Sequence, residues 1–599
     1  MQSDPGLDAL DRKLNDVLSG KVVRKDLLHR IKKGTNVPTF VLEFLLARYC
    51  ASDDAAEIQA GMEAVLATLQ ENYVRPDESN AAQSRVAMKG KHKFIDKVHV
   101  RYVEKEKRHW ASLENFASQR IAIGEKWYRD NDRLLEGGIW AEVTIAHNDV
   151  DADNYAFYVE DLRPIQLSRF HFSAYGEARA AFSRDEWMDV VLRSVGLEPA
   201  KLSKRLKFHF IARLAPLVEA NFNFIELGPR GTGKSYFFSE FSPYSTLISG
   251  GQATKSILFY NNARHKIGLV GFWDTVAFDE VKDPDTIQIM KDYMANGRFS
   301  RGVEVIADAS MAFVGNIDQS IEQIVNSTEY DLFLPLPPQF DLAIMDRFAC
   351  YLPGWEMPKN SSAFLTDRYG LITDYLAEAF HYQLKHSNRY EEVSRRLRLG
   401  RAVEGRDEKG IKKTLCAILK ILHPVDQPSD EEFEEYAAYA IECRRRIKEQ
   451  MNKRKPDDEF ARIDLSYLNA AGEEIIVYCP ETRNAAATLE PARRRLRVVA
   501  TEEPAPHDAP ASSSPPAPPP TAAEPQPEPP SGAPTEKHFT IQYGDSGHTY
   551  DSIFGPYLVG ARTVTIEDPY IRSWFAIGAT DLSLRQCLET KVDIFRDQH

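Results

Sequence analysis

The chain has 599 residues, 43% of them hydrophobic, enough for several domains with separate cores. A formal net charge of −13 excludes a protein coated all over with nucleic acid, yet leaves room for a local basic channel. Six cysteines without a Cys-x-x-Cys pair argue against a zinc site or a disulfide framework and fit a reducing compartment. The first residues lack a basic and then apolar leader, and no run of about 18 apolar residues occurs, so the expectation is a cytoplasmic protein without a membrane partner.

In chain order, residues 8–75 read as helices, because Leu27, Leu28, Ile31 and later Val41, Leu42, Leu45 and Leu46 recur at helical spacing. From about residue 90 the period becomes two: Val98, Val100 and Tyr102 alternate with Lys97, His99 and Arg101. Ile139–Ile145 and Tyr155–Val159 continue this pattern after the turn signal Gly137-Gly138, which predicts a small β-barrel or sheet. Helices resume over 183–220, strands and helices alternate to about 353, and 363–455 reads as helical throughout. A hairpin is expected over 460–478, with its turn at Asn469–Gly472. Residues 501–536 hold 13 of the 34 prolines and cannot bury a core, so they read as a linker. The resulting plan is a multidomain α/β chain: a helical region (1–80), a β-rich nucleic-acid-binding candidate (85–175), a parallel-sheet core (180–355), a helical lid (356–455), a hairpin extension (456–500), the linker (501–536) and a small tail (537–599).

The most informative motif is Gly228-Pro229-Arg230-Gly231-Thr232-Gly233-Lys234-Ser235, lying between the apolar run 222–227 and a helical continuation. Glycines let such a loop curl so that its N–H groups face phosphates, while Lys234 reaches the β/γ-phosphates and the Ser235 hydroxyl ligates Mg²⁺. ATP and Mg²⁺ are the implied cofactors. Further along, the apolar strand 273–278 ends in Asp279 and Glu280, a second metal ligand and a general base for the attacking water. Ser310–Asn316 is another apolar strand, ending in an amide that can orient that water. Arg347 stands between a helix and a strand, where it can reach a neighbouring subunit's nucleotide. Arg406 opens a helix of the lid and is a candidate γ-phosphate contact, with Lys412 and Lys413 as rivals.

Basic residues crowd the β-rich stretch: Lys89, Lys91, Lys93, Lys97 and Arg101 lead a series interleaved with Phe94, Tyr102 and Trp110. Basic strands with aromatics suit phosphate contact and base stacking. Arg298 and Arg301 flank a turn before the Asn316 strand and are candidate contacts for a polymer threaded through a pore.

The order of phosphate loop, Asp-Glu strand, Asn strand, Arg and helical lid over about 180–455 resembles the AAA+ ATPases. Gly20–Leu27, Asn36–Leu46, Glu71–Asp77, Glu226–Ser235, Ile289–Met294 and Leu352–Pro358 resemble a narrower family, BrxL, the Lon-related AAA+ proteins of BREX bacteriophage defence. The resemblance implies a homo-oligomer, a hexameric ring or stacked rings, that engages DNA with little sequence preference and works beside other BREX components. Its N-terminal part is reminiscent of replicative-helicase N-domains. The other reading is a Lon- or Clp-like remodelling ATPase acting on polypeptide with a separate protease. Members of the family carry a Lon-like Ser-Lys protease domain; between lid and linker this chain has only 456–500 and no Pro-x-Gly-Pro-Ser-Ala-like loop, so no intrinsic protease site is expected. Tyr550–Tyr557 and Thr563–Arg572 resemble instead the start of an MIT C-terminal domain, a module of phospholipase-D-like fold, without its His-x-Lys signature.

Overall fold

The computed structural model describes residues 7–32, 37–50, 54–118, 120–131, 133–148, 155–166, 170–249, 254–262, 266–279, 284–300, 304–327, 329–455 and 463–483, together with the dipeptides 563–564 and 577–578. The chain divides into two units, Met1–Pro504 and Ala505–His599. In the second, Thr563–Val564 pairs antiparallel with Ile577–Gly578.

The N-terminal helices form as their periodicity predicts. Lys25–Lys32, Thr39–Tyr49 and Ala55–Asn72 bury Leu27, Ile31, Val41, Leu45, Met62 and Val65 in one cluster. Asp54 caps the last of these helices by accepting from the amides of Ala56 and Glu57. A buried ion pair inside this region also fastens it to the rest of the unit through hydrogen bonds to Leu371 and Thr373. Lys25 Nζ donates to Glu43 at 2.6 Å with both side chains inaccessible, and Glu43 also accepts from the amide and hydroxyl of Thr373.

The period-two stretch closes into a five-stranded barrel: β1 (Lys91–Val103), β2 (Arg108–Leu113), β3 (Ile121–Ala122), β4 (Ile139–His147) and β5 (Phe157–Pro164), in the order β1-β2-β3-β5-β4 with β4 returning to β1. Alternation along β1 sends Phe94, Asp96, Val98 and Val100 inward. The buried Asp96 carboxylate accepts from the amides of Lys97, Asn115 and Phe116, pinning the turn after β2. The barrel sits on the core through Lys97, whose ammonium lies 5.3 Å from the Trp273 ring centre, and through Arg133, which donates to Glu378 at 2.5 Å.

The core is a parallel five-stranded sheet: β6 (Phe224–Gly228), β7 (Ser245–Ser249), β8 (Thr275–Asp279), β9 (Ser310–Asn316) and β10 (Cys350–Pro353), ordered β10-β6-β9-β8-β7. The three central strands and β10 are largely apolar, Glu226 in β6 apart, because helices cover both faces of such a sheet, whereas the edge strand β7 reads Ser-Thr-Leu-Ile-Ser. Helices Gly405–Leu422 and Asp430–Arg454 form the lid, and the latter buries three consecutive arginines, Arg444, Arg445 and Arg446, each with a carboxylate partner. One expectation is corrected: 363–455 is not helical throughout, since Tyr369–Leu371 is a strand paired antiparallel with Val22–Arg24. The predicted hairpin forms between Ser466–Leu468 and Glu474–Ile476. Among the described residues no helix is long and apolar enough to cross a membrane. The architecture is a multidomain α/β fold: a parallel-sheet core with a helical lid, and an N-terminal helical and barrel region.

Candidate nucleotide site and nucleic-acid surface

The loop after β6 wraps the carboxyl edge of the sheet, the place where α/β sheets hold ligands. Gly231 and Gly233 take φ of +81° and +78°, a left-handed backbone that glycine adopts freely. Gly228 is required for another reason: a Cβ there would lie 2.3 Å from the carbonyl carbon of Gly354. The helix Lys234–Glu240 begins directly after the loop, so its free amides point at the loop's concavity. Lys234 Nζ donates to the carbonyls of Gly228 (3.1 Å) and Pro229 (2.7 Å), and burial lowers its pKa. Ser235 Oγ donates to the Asp279 carboxylate at 3.0 Å, so the two oxygens proposed for a metal already meet; a hydroxyl beside a carboxylate is a hard-oxygen pair that suits Mg²⁺. Asn316 ends β9 in register with Gly228, which puts its amide next to the loop. Arg230 is exposed and reaches Asp318 at 3.4 Å, whereas Thr232 is buried. Glu280 lies outside the described residues.

Sequence reading missed what supports this loop. Arg213, on the helix Lys204–Leu214, forms a buried two-point pair with Glu226 in β6 (2.9 and 2.5 Å) and donates to the Thr232 carbonyl at 3.3 Å. A carboxylate in the middle of the apolar run Phe224–Leu227 was the available signal, since a charge is buried only when paired. From the other side the Asn360 amide donates to the Gly231 carbonyl at 2.7 Å. Removing one partner of a buried pair leaves an uncompensated charge, so Glu226→Ala is expected to cost about 3–5 kcal/mol in denaturant unfolding of the domain. A loss below about 1 kcal/mol would show that the pair does not hold the loop.

Arg347 and Arg406 lie elsewhere. Arg347 precedes β10, whose register with β6 places it at the amino edge of the sheet; its carbonyl accepts from Asn223, just before β6. With β6 five residues long, the two edges are separated by about 16 Å. Arg406 donates to Asp346 at 2.6 Å and therefore stands beside Arg347, away from its own chain's phosphate loop. Lys413, one of its rivals, is on the same edge, its ammonium donating to the carbonyls of Ala220 and Asn221, and burial pushes its pKa down to about 8. A cavity of about 300 Å³ opens there, with Arg347, Arg406, Lys409 and Lys413 on its wall. The Arg347 Nε is buried without a hydrogen-bond partner. Arg444 fixes this corner: it donates to the carbonyls of Asp346 and Phe348, to the Asp346 carboxylate and to Asp407.

Lys89, at the end of the helix Ser79–Lys89 that enters the barrel, is exposed, as are Lys93 and Arg101 on β1, and Lys91 is exposed with Glu160 at 3.1 Å. Lys97 departs from the expectation of a phosphate contact. Although it alternates outward from the barrel, Trp273 of the core covers it and burial lowers its pKa. Arg298 lies on a hairpin of Arg298–Ser300 and Glu304–Ile306, 3.6 Å from Glu304; Arg301 falls outside the described residues.

Residues 16–147 match the family described as "BREX system Lon protease-like protein BrxL N-terminal", and residues 157–466 match "Lon-like protease BrxL-like, ATPase domain". The Lon-like protease BrxL of Escherichia coli O9:H4 (strain HS) is 45% identical over 481 residues, which span 79% of this chain and 69% of that protein. Its namesake from Bacillus cereus (strain H3081.97) is 43% identical over 486 residues, 79% of this chain and 71% of that one. Among solved structures, a full-length MCM homolog from Methanopyrus kandleri aligns over 69% of this chain and 98% of that one at 12% identity, with a TM-score of 0.32, too loose a likeness to carry an argument. With close to half of the positions identical along most of its length, the chain belongs to the BrxL family.

Proposed function

We propose that this protein is a ring-forming ATPase that binds and translocates on DNA in BREX-type bacteriophage defence. The observation that carries the reading is the convergence at one sheet edge of the glycine loop, Lys234, the Ser235–Asp279 oxygen pair and Asn316. In this reading the loop amides and Lys234 hold the ATP phosphates, and Ser235 and Asp279 hold Mg²⁺. Asn316 orients the attacking water and Glu280 takes its proton. When bound, Mg²⁺ neutralises charge on the β- and γ-oxygens. Arg347 and Arg406, at the far edge, serve the nucleotide of the adjacent subunit, which is why the reading requires an oligomer. No proteolytic step enters it.

The deciding experiment measures ATP hydrolysis by the full chain alone and with duplex DNA, single-stranded DNA or an unfolded protein. Stimulation by DNA supports the reading; stimulation by the unfolded protein alone would favour polypeptide remodelling instead.

Exposed Lys89, Lys91 and Lys93 lie together at the start of the barrel, and the reading makes them phosphate contacts. Each contact releases counterions, so log K on duplex falls by about 0.9 per contact for each unit of log salt. Charge reversal of the three is expected to weaken binding to all sequences alike and to flatten that slope, with DNA-independent ATPase activity retained. Unchanged binding by this variant in a salt titration would remove these lysines from the DNA surface.

A further inference from the structure

The barrel carries a feature that phosphate contacts leave unused. At the far end of β1 and β2 from Lys91, Tyr102 is paired in register with His109, and their rings are 5.0 Å apart. His109 in turn stacks on Tyr128, of the short helix Glu125–Asp130, at 4.3 Å and an interplanar angle of 27°. Three aromatic rings thus follow one another: Tyr128 packs against the barrel core, His109 is half-buried between the two tyrosines, and the leading ring, Tyr102, is 54% exposed. Arg101, Lys105 and Lys107 stand exposed around it, on the strand end and on the turn between β1 and β2. One acid of that turn, Glu106, is engaged by Trp110 Nε1 (2.7 Å) and Arg120 (2.9 Å). The connectivity points the same way. A five-stranded barrel ordered β1-β2-β3-β5-β4, with helices between β3 and β4, has the Greek-key arrangement of oligonucleotide-binding barrels, which use the β2–β3 face and the β1–β2 loop.

We propose that the row Tyr102–His109–Tyr128 is a stacking platform for the bases of unpaired DNA. The proposal rests on the DNA reading above and narrows it: duplex is held through its phosphates, whereas a strand whose bases are unstacked is held by these rings as well. Inside a duplex both faces of each base are covered by neighbours, so away from the duplex ends only an unpaired base can offer a face to Tyr102. Stacking is tolerant of sequence because every base has a π-face, and the surrounding cations follow the backbone.

The test measures fluorescence anisotropy of the full chain, at fixed salt, with an oligothymidylate, the same strand carrying abasic sites, and a duplex of equal length. The parent is expected to bind the base-bearing strand about 5- to 150-fold more tightly than the abasic one. Tyr102→Ala, a change at an exposed ring, is expected to bring the base-bearing strand down towards the abasic affinity, while abasic and duplex binding stay at parental values; Tyr102→Phe is expected to keep the preference. Equal binding of base-bearing and abasic strands by the parent overturns the platform while leaving phosphate-mediated DNA binding in place. Equal losses on duplex and single strand in Tyr102→Ala overturn it too. A parent that binds none of the three defeats the DNA reading itself.

Discussion

Lys234→Ala is expected to lose nucleotide binding, whereas Glu280→Gln is expected to bind ATP as the parent does and to stop turning it over. The difference follows from what each group meets. The Lys234 ammonium is held at the loop by the carbonyls of Gly228 and Pro229, and its burial means that little water screens it from a phosphate. Truncating one partner of a buried charge pair costs about 2–5 kcal/mol, a weakening of roughly 30-fold or more. Glu280 follows Asp279 directly, and in the proposed chemistry it acts on the water and not on the nucleotide. A positioned general base contributes about 10²–10⁴ in rate, so the amide variant should bind normally and hydrolyse at a hundredth of the parental rate or less. Calorimetry with ATP and a phosphate-release assay separate the two. Normal hydrolysis by Glu280→Gln would remove it as the base, and tight binding by Lys234→Ala would remove the loop from the nucleotide site.

The part of this site that the sequence displayed is the part written locally. Loop, metal pair and strand-end amide each sit within a few residues of an apolar strand, and a parallel sheet brings such strand ends together on its carboxyl edge. What depends on remote packing was not legible. Arg213 meets Glu226 across a helix-to-strand contact that no local pattern announces. The strand Tyr369–Leu371 is only three residues long and exists because Val22–Arg24, near the other end of the unit, supplies its partner. Lys97 reads as one more exposed cation of an alternating strand until Trp273 is seen to cover it. Arg406 was legible as a lid arginine, but helix order along a chain does not say which edge of the sheet a helix end will reach; its link to Asp346 does.

That placement makes the two arginines an experiment in geometry. Arg347→Ala is expected to keep ATP binding and to lose most hydrolysis, since an arginine finger is worth about 10³–10⁵ in rate. Because Arg347 and the phosphate loop lie on opposite edges of one sheet, a subunit cannot apply both to one nucleotide, and in the proposed reading the active site is built from two copies. Mixing Arg347→Ala with Lys234→Ala subunits, each inactive alone, therefore recreates whole sites wherever an intact loop faces an intact arginine. In a head-to-tail ring assembled at random from equal amounts, that is roughly a quarter of the interfaces. Arg406 gives the sharper result. If it works beside Arg347, Arg406→Ala is rescued by Lys234→Ala and not by Arg347→Ala, because both arginine variants damage the same edge. If instead the lid swings Arg406 over its own phosphate loop, the pattern inverts: Arg347→Ala rescues it and Lys234→Ala does not. Phosphate release from the three pairwise mixtures, at fixed total protein, reads the answer. Full activity from a strictly monomeric parent would end the composite-site reading altogether, and the cavity walled by Arg347, Arg406, Lys409 and Lys413 would then need another ligand.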